Sequence, residues 1–182
     1  FASYELDFFG RVRSLDEQAL QTYLGTEEAR RSAQISLVAE VASAWLRLAA
    51  DRERLALAKS TQQTRQESLD LVRRTFELGA VSALDVHQAE TLMQSARADA
   101  ARFESVLAQD QNALAQLVGG SVPATLLPDG LERAVATVAE LPAGVPSEVL
   151  VRRPDILQAE RALLAANASI GAARAAFFPR IT

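Results

Sequence analysis

The chain contains no cysteine and a single histidine, His87. Disulfides, thiolate-bound metals and thiol catalysis are therefore excluded. His87 has no second histidine and no carboxylate pair around it on its own helical turn, the company that a catalytic base or metal ligand needs. Glycine-rich phosphate loops and nucleophile elbows are also missing. No enzymatic activity is assigned, and no cofactor or metal is expected. No run approaches the ~18 to 20 apolar residues that cross a bilayer as a helix. The net charge is −4, with 19 Lys+Arg interspersed among 23 Asp+Glu, so no concentrated basic face is available for a nucleic-acid backbone. Aromatic residues make up only 5% while alanine is abundant. Small side chains bury little area each but let helices approach closely, which favours long helices packed side by side over a compact ball. No initiator Met or signal-peptide pattern stands at Phe1, and the chain reads as a piece of something longer.

Proline is absent between Phe8 and Pro123, so helix is permitted throughout that span. Before it, "FASYELDFF" alternates, with Tyr4, Leu6 and Phe8 on one face and Ser3, Glu5 and Asp7 on the other, the period of a strand end. Asp7 is placed to cap the helix that follows. Heptads then run through two arms. Val38, Val41, Trp45, Leu48, Arg52 and Leu55 step by three and four, and Leu55, Ala58, Gln62, Arg65, Leu69, Val72 and Phe76 continue after one skip. In the second arm Val86, Ala89, Met93, Ala96, Ala100, Phe103, Leu107, Asp110, Leu114 and Leu117 keep the same rhythm with one polar exception. This is a coiled-coil pattern in which Trp45, Met93 and Phe103 are expected as core. Gly25, inside the first arm, costs about 1 kcal/mol relative to alanine and marks a place for a local irregularity.

Between the arms lies "TFELGAVSALDVHQAE". Gly79 fits the left-handed position that ends a helix, Ser82 the N-cap of the next, and Asp85 its third position. Val81 and Val86 have the spacing of a hydrophobic staple. These features predict a tight helical hairpin. They do not account for the apolar character of Leu78, Ala80, Val81, Ala83 and Leu84, which either staples the turn or presents an apolar tip to another protein.

After Val118, glycine and proline concentrate and the heptads stop, which predicts a connector with a short strand around Leu131 to Val138 and a helical turn from Ser147 to Val151. "RRPDILQAERALLAANASIGAARAAFF" resumes helix, with Pro154 at the first helical position and Asp155 favourable against the helix dipole. Pro179 stops it, and "RIT" reads as the start of a strand. The arms 8–78, 82–118 and 155–177 would be roughly 105, 55 and 35 Å long. The two shorter helices, laid end to end, nearly match the long one and would bring both strand-like termini to the same end.

These stretches resemble the TolC-like outer-membrane channel proteins of tripartite efflux pumps, of the OprM type. "SYELDFFGRVRS" is similar to the family's exit from a barrel strand into a long periplasmic helix, and "ELGAVSALDVHQAE" to its hairpin tip. "LPAGVPSEVLVRRPDILQAERALLAANASIGAARAAFFPRIT" is similar to the stretch leading back to the barrel. The resemblance implies a mainly α fold. A long antiparallel hairpin over 7–118, with its tip at 78–82, is followed by a small irregular or β connector at 119–153 and a return helix at 154–178. Residues 1–6 and 179–182 would be ends of barrel strands. It further implies a passive, homotrimeric export channel in a Gram-negative outer membrane, this part lying in the periplasm. The partners would be a periplasmic adaptor (membrane fusion protein), contacted by Leu78, Gly79, Ala80, Val81 and Ser82, and an RND-type inner-membrane transporter. Many relatives have Val before the glycine and Leu after it, where this chain has Leu78 and Ala80. Two other readings stand beside it: a stand-alone coiled-coil scaffold, opposed by the strand-like termini, and a periplasmic adaptor hairpin, opposed by the helical return.

Overall fold

The computed structural model describes residues 5–136, 143–144 and 146–181. Helix α1 runs Arg11–Glu77 and α2 runs Ala83–Val118. A 3-10 turn follows at Ala124–Leu126, then short helices α3 (Leu131–Ala136) and α4 (Glu148–Val151), and finally α5 (Pro154–Ala175). Among the described residues there is no strand. The expected strand residues 1–4 and Thr182, and residues 137–142 of the connector, lie outside that set. The chain divides into two compact units, residues 1–37 with 141–182, and residues 38–140.

In the first unit α1 begins at Arg11 rather than at Phe8. A turn over Phe8–Gly10, with Gly10 at φ 74°, separates Asp7 from the helix. Asp7 still performs the expected cap from that distance, its Oδ1 accepting from the Val12 N–H (3.1 Å) and its Oδ2 from the Arg13 N–H (2.9 Å). These bonds hold its carboxyl below the usual aspartate range, the Arg13 amide contributing most. The chain ends meet here as expected: the Leu6 N–H donates to the Ile181 carbonyl at 2.9 Å. Phe9 stacks on Phe178 with centroids 4.5 Å apart. Helix α1 continues through Gly25 without a break. Helices α1 and α5 approach each other at Gly171, where a Cβ would lie 2.9 Å from Ser14 Oγ. Higher up, Arg161 donates to Gln21 at 3.0 Å. Pro154 and Asp155 occupy the first turn of α5 as predicted. The helix ends at Ala175, and the N–H groups of Ala176, Phe177 and Phe178 close the turn before Pro179.

In the second unit α1 and α2 form the antiparallel hairpin. Leu48, Leu55 and Leu69 on α1, and Ala96, Ala100 and Leu114 on α2, are buried at the expected heptad positions, while Ala49 on α1, off the pattern, is fully buried as well. Lys59–Glu104 (3.2 Å) and Arg73–Glu90 (2.7 Å) cross between the helices and set a register centred on the turn. Several positions depart from the pattern, among them Val38 and Phe76, which are exposed. Trp45 is only half-buried, and its indole N–H donates to the Leu126 carbonyl at 2.9 Å. Arg52 is exposed and reaches the Pro128 carbonyl at 2.6 Å. Asp51, its neighbour, is the buried one, at 4% exposure. Met93 and Phe103 are half-buried, on the rim rather than in the core.

The expected strand at 131–138 is instead helix over Leu131–Ala136. Its cause is tertiary: Glu53 of α1 accepts the Leu131 N–H at 2.7 Å, placing a carboxylate at the N-terminus of α3. The helical turn expected after Ser147 is present as α4.

Candidate functional site at the hairpin tip

The turn between α1 and α2 is built by local chemistry at both sides. At the end of α1 the Gly79 N–H donates to the Phe76 carbonyl (2.8 Å) and the Ala80 N–H to the Thr75 carbonyl (3.0 Å). This pair of bonds is the Schellman arrangement, and it requires the left-handed φ of 76° that Gly79 adopts. At the start of α2, Ser82 and Asp85 form a reciprocal capping box. The Asp85 N–H donates to Ser82 Oγ at 3.3 Å, and the Ser82 N–H and hydroxyl donate to Asp85 Oδ2 at 2.8 and 2.6 Å. The Ser82 hydroxyl first, and its backbone N–H second, hold the Asp85 carboxyl below the usual aspartate range.

This frame leaves the apolar residues with two different fates. Val81 and Val86 are both half-buried, as the staple predicts. Leu78 is 84% exposed and Leu84 64% exposed, so neither serves to close the turn. Gly79, Ala80, Ser82 and Ala83 are exposed beside them. The five tip residues 78–82 are thus brought together on one short turn, four of them open to solvent and Val81 tucked inward. Leu84 belongs with the exposed set. Its signal in the sequence is a large apolar residue in the first turn of a helix, where a solvated position would carry a polar one.

The flank of the tip is polar. Glu90 accepts from Arg73 across the hairpin at 2.7 Å and lies 3.2 Å from His87 Nδ1. Arg73 first, then His87, lowers the Glu90 carboxyl below its usual range. His87 is exposed and flanks the turn, and no group of His, Asp or Glu able to hold a metal occurs among the described residues. None of the described helices is long and apolar enough to cross a membrane.

The hairpin tip is thus a capped turn that leaves apolar side chains exposed. The family model of outer membrane efflux proteins matches residues 1–120 and 145–182. A probable efflux pump outer membrane protein of Pseudomonas putida, TtgC, is 53% identical over 181 residues, covering 100% of this chain and 37% of that protein. A crystal structure of a membrane protein from Pseudomonas aeruginosa superposes with a TM-score of 0.90 at 46% identity, over 97% of this chain and 41% of that one. The open-state MtrE outer membrane channel of Neisseria gonorrhoeae does so with a TM-score of 0.82 at 45% identity, over 98% and 40%. The chain belongs to the outer membrane efflux proteins, the TolC-like outer-membrane channels of Gram-negative bacteria, of which it is a helical periplasmic part. It spans little more than a third of the curated relatives it matches.

Proposed function

We propose that this chain is the periplasmic α-helical part of an export channel, that it helps to wall a tunnel, and that its tip docks a periplasmic adaptor through Leu78, Gly79, Ala80, Val81 and Ser82. The observation that carries the reading is the exposure of Leu78 on a turn fixed from both sides. A staple would bury it, whereas a docking knob is left out and held still. A rigid turn also lowers the ordering cost of association. The adaptor would in turn link the channel, as a homotrimer, to an energised RND-type inner-membrane transporter, with the channel itself conducting passively and catalysing nothing. The cargo would be small molecules, since relatives are named as toluene and antibiotic efflux pump components.

Burying a leucine side chain is worth about 1.5–3 kcal/mol, so Leu78→Ser in the full-length channel should weaken adaptor binding about tenfold to a hundredfold while leaving the hairpin folded. Binding unchanged within twofold, measured by surface plasmon resonance against the purified adaptor, would remove the tip from the interface.

A further inference from the structure

The second unit carries one buried polar cluster that the docking tip does not use. The register set by Lys59–Glu104 and Arg73–Glu90 brings Asp51 on α1 and Asp110 on α2 to the same level of the seam, where the two carboxyls act directly on each other. Asp51 is 4% exposed and accepts from Arg54 Nη1 at 2.7 Å. Asp110 has no such support: its Oδ2 is sealed from solvent and receives no hydrogen bond. Two ionised carboxylates so placed would repel, and a buried acceptor without a donor carries its full desolvation cost. One proton resolves both problems. It turns the bare oxygen of Asp110 from an acceptor into a donor, and Asp51 is the acceptor beside it.

We propose that Asp51 and Asp110 share a single proton across the α1–α2 seam, so that the hairpin grips more tightly in acid and loosens as the pH rises. The surrounding charges fit this assignment. From α1, Arg54 is committed to Asp51, and Arg47 is the one cation acting on Asp110. Lys59 and Glu104 pair with each other nearer the tip. From the connector side, Arg52 and Glu53 are occupied by the Pro128 carbonyl and the Leu131 N–H, and Asp129 pairs with Arg133. Burial first, and the neighbouring Asp51 second, push the Asp110 carboxyl above the usual aspartate range. Because the folded value is raised, the stabilisation is complete below the ordinary value of 3.8 and is lost as the pH rises through the raised one. Arg47 and Arg54 also line the two open grooves on either side of the pair, about 350 and 360 Å³.

The test uses the full-length channel labelled with carboxyl-¹³C aspartate. Infrared difference spectra should show a protonated-carboxyl band that persists above the ordinary aspartate range and disappears on titration towards alkaline pH. Asp110→Asn, which keeps a donor for Asp51, should delete the band. In hydrogen–deuterium exchange, amides of residues 47–54 and 107–114 should lose protection with rising pH in the wild type beyond the intrinsic base-catalysed acceleration, and by that acceleration alone in the variant. Should Asp110→Asn fail to fold, Asp51→Asn should also remove the band, because Asp110 then ionises against an amide donor. A wild type without the band, or a band that survives either substitution, would overturn the shared proton.

Discussion

Replacing Gly79 separates what the backbone requires at the tip from what a partner would require. Its φ of 76° lies in the left-handed region, and an added Cβ would meet nothing within 4 Å. The cost to the fold is therefore the backbone penalty alone, about 1–2 kcal/mol for an L-residue, and it should not grow with side-chain size. Gly79→Ala and Gly79→Leu should raise local opening of the turn by the same factor, about 5- to 30-fold. Gly79→Asn should cost less, because asparagine tolerates this region. Exchange of the amides from Thr75 to Val86 in the full-length channel reads this directly. Docking should follow a different order. A leucine side chain at position 79 would stand in the proposed contact surface and an alanine methyl scarcely would, so adaptor affinity should fall further for Leu than for Ala. If Leu opened the turn much more than Ala, the backbone argument would be wrong. If both lost affinity equally, the loss would come from the distorted turn, and the tip would not be the contact.

Four further outcomes follow from the same structure. Ser82→Ala removes one half of the capping box and should destabilise the start of α2 by about 1 kcal/mol, read as faster exchange confined to the first turn. In the wild type the lowered Asp85 carboxyl makes this capping complete above 3.8 and lost as acidification passes the lowered value; amide exchange at Asp85 and Val86 across an acid titration checks it. Leu114, 2% exposed in the seam, should cost about 2–5 kcal/mol when cut to alanine, measured by chemical unfolding of the channel. Trp45→Phe keeps the ring but removes the donor to the Leu126 carbonyl, and should cost about 0.5–1.5 kcal/mol, seen as loss of protection in residues 124–131.

Features decided by neighbours in sequence were legible from it. Gly79, Ser82 and Asp85 specify the turn within a few residues, and the second-arm heptad correctly placed Ala96, Ala100 and Leu114 in the seam. Features decided across the chain were not. The heptad put Arg52 in the seam because its spacing fits, but the Pro128 carbonyl, 76 residues away, draws it outward and leaves Asp51 buried. Asp110 stood out as a polar exception, yet its partner was hidden by that same one-residue error. The alternating "LERAVATV" reads as strand until Glu53 is placed at its N-terminus, a contact spanning 78 residues. At the tip, spacing alone could not separate Leu78 from Val81. Only the exposure of one and the tucking of the other divides them.

The way the connector is held to α1 has an evolutionary consequence. Trp45 and Arg52 grasp the carbonyls of Leu126 and Pro128, and Glu53 grasps the N–H of Leu131. All three anchors seize main-chain atoms, which nearly every amino acid supplies. The exposed side chains of this strap are thereby released from the task of attachment and free to drift, the exceptions being Pro128, which is buried, Gly130, where a Cβ would come within 3.1 Å of Glu53 Oε1, and position 131, which must not become proline. Substitutions should thus accumulate along the strap, while Trp45, Arg52 and Glu53 on the helix beneath it stay constant.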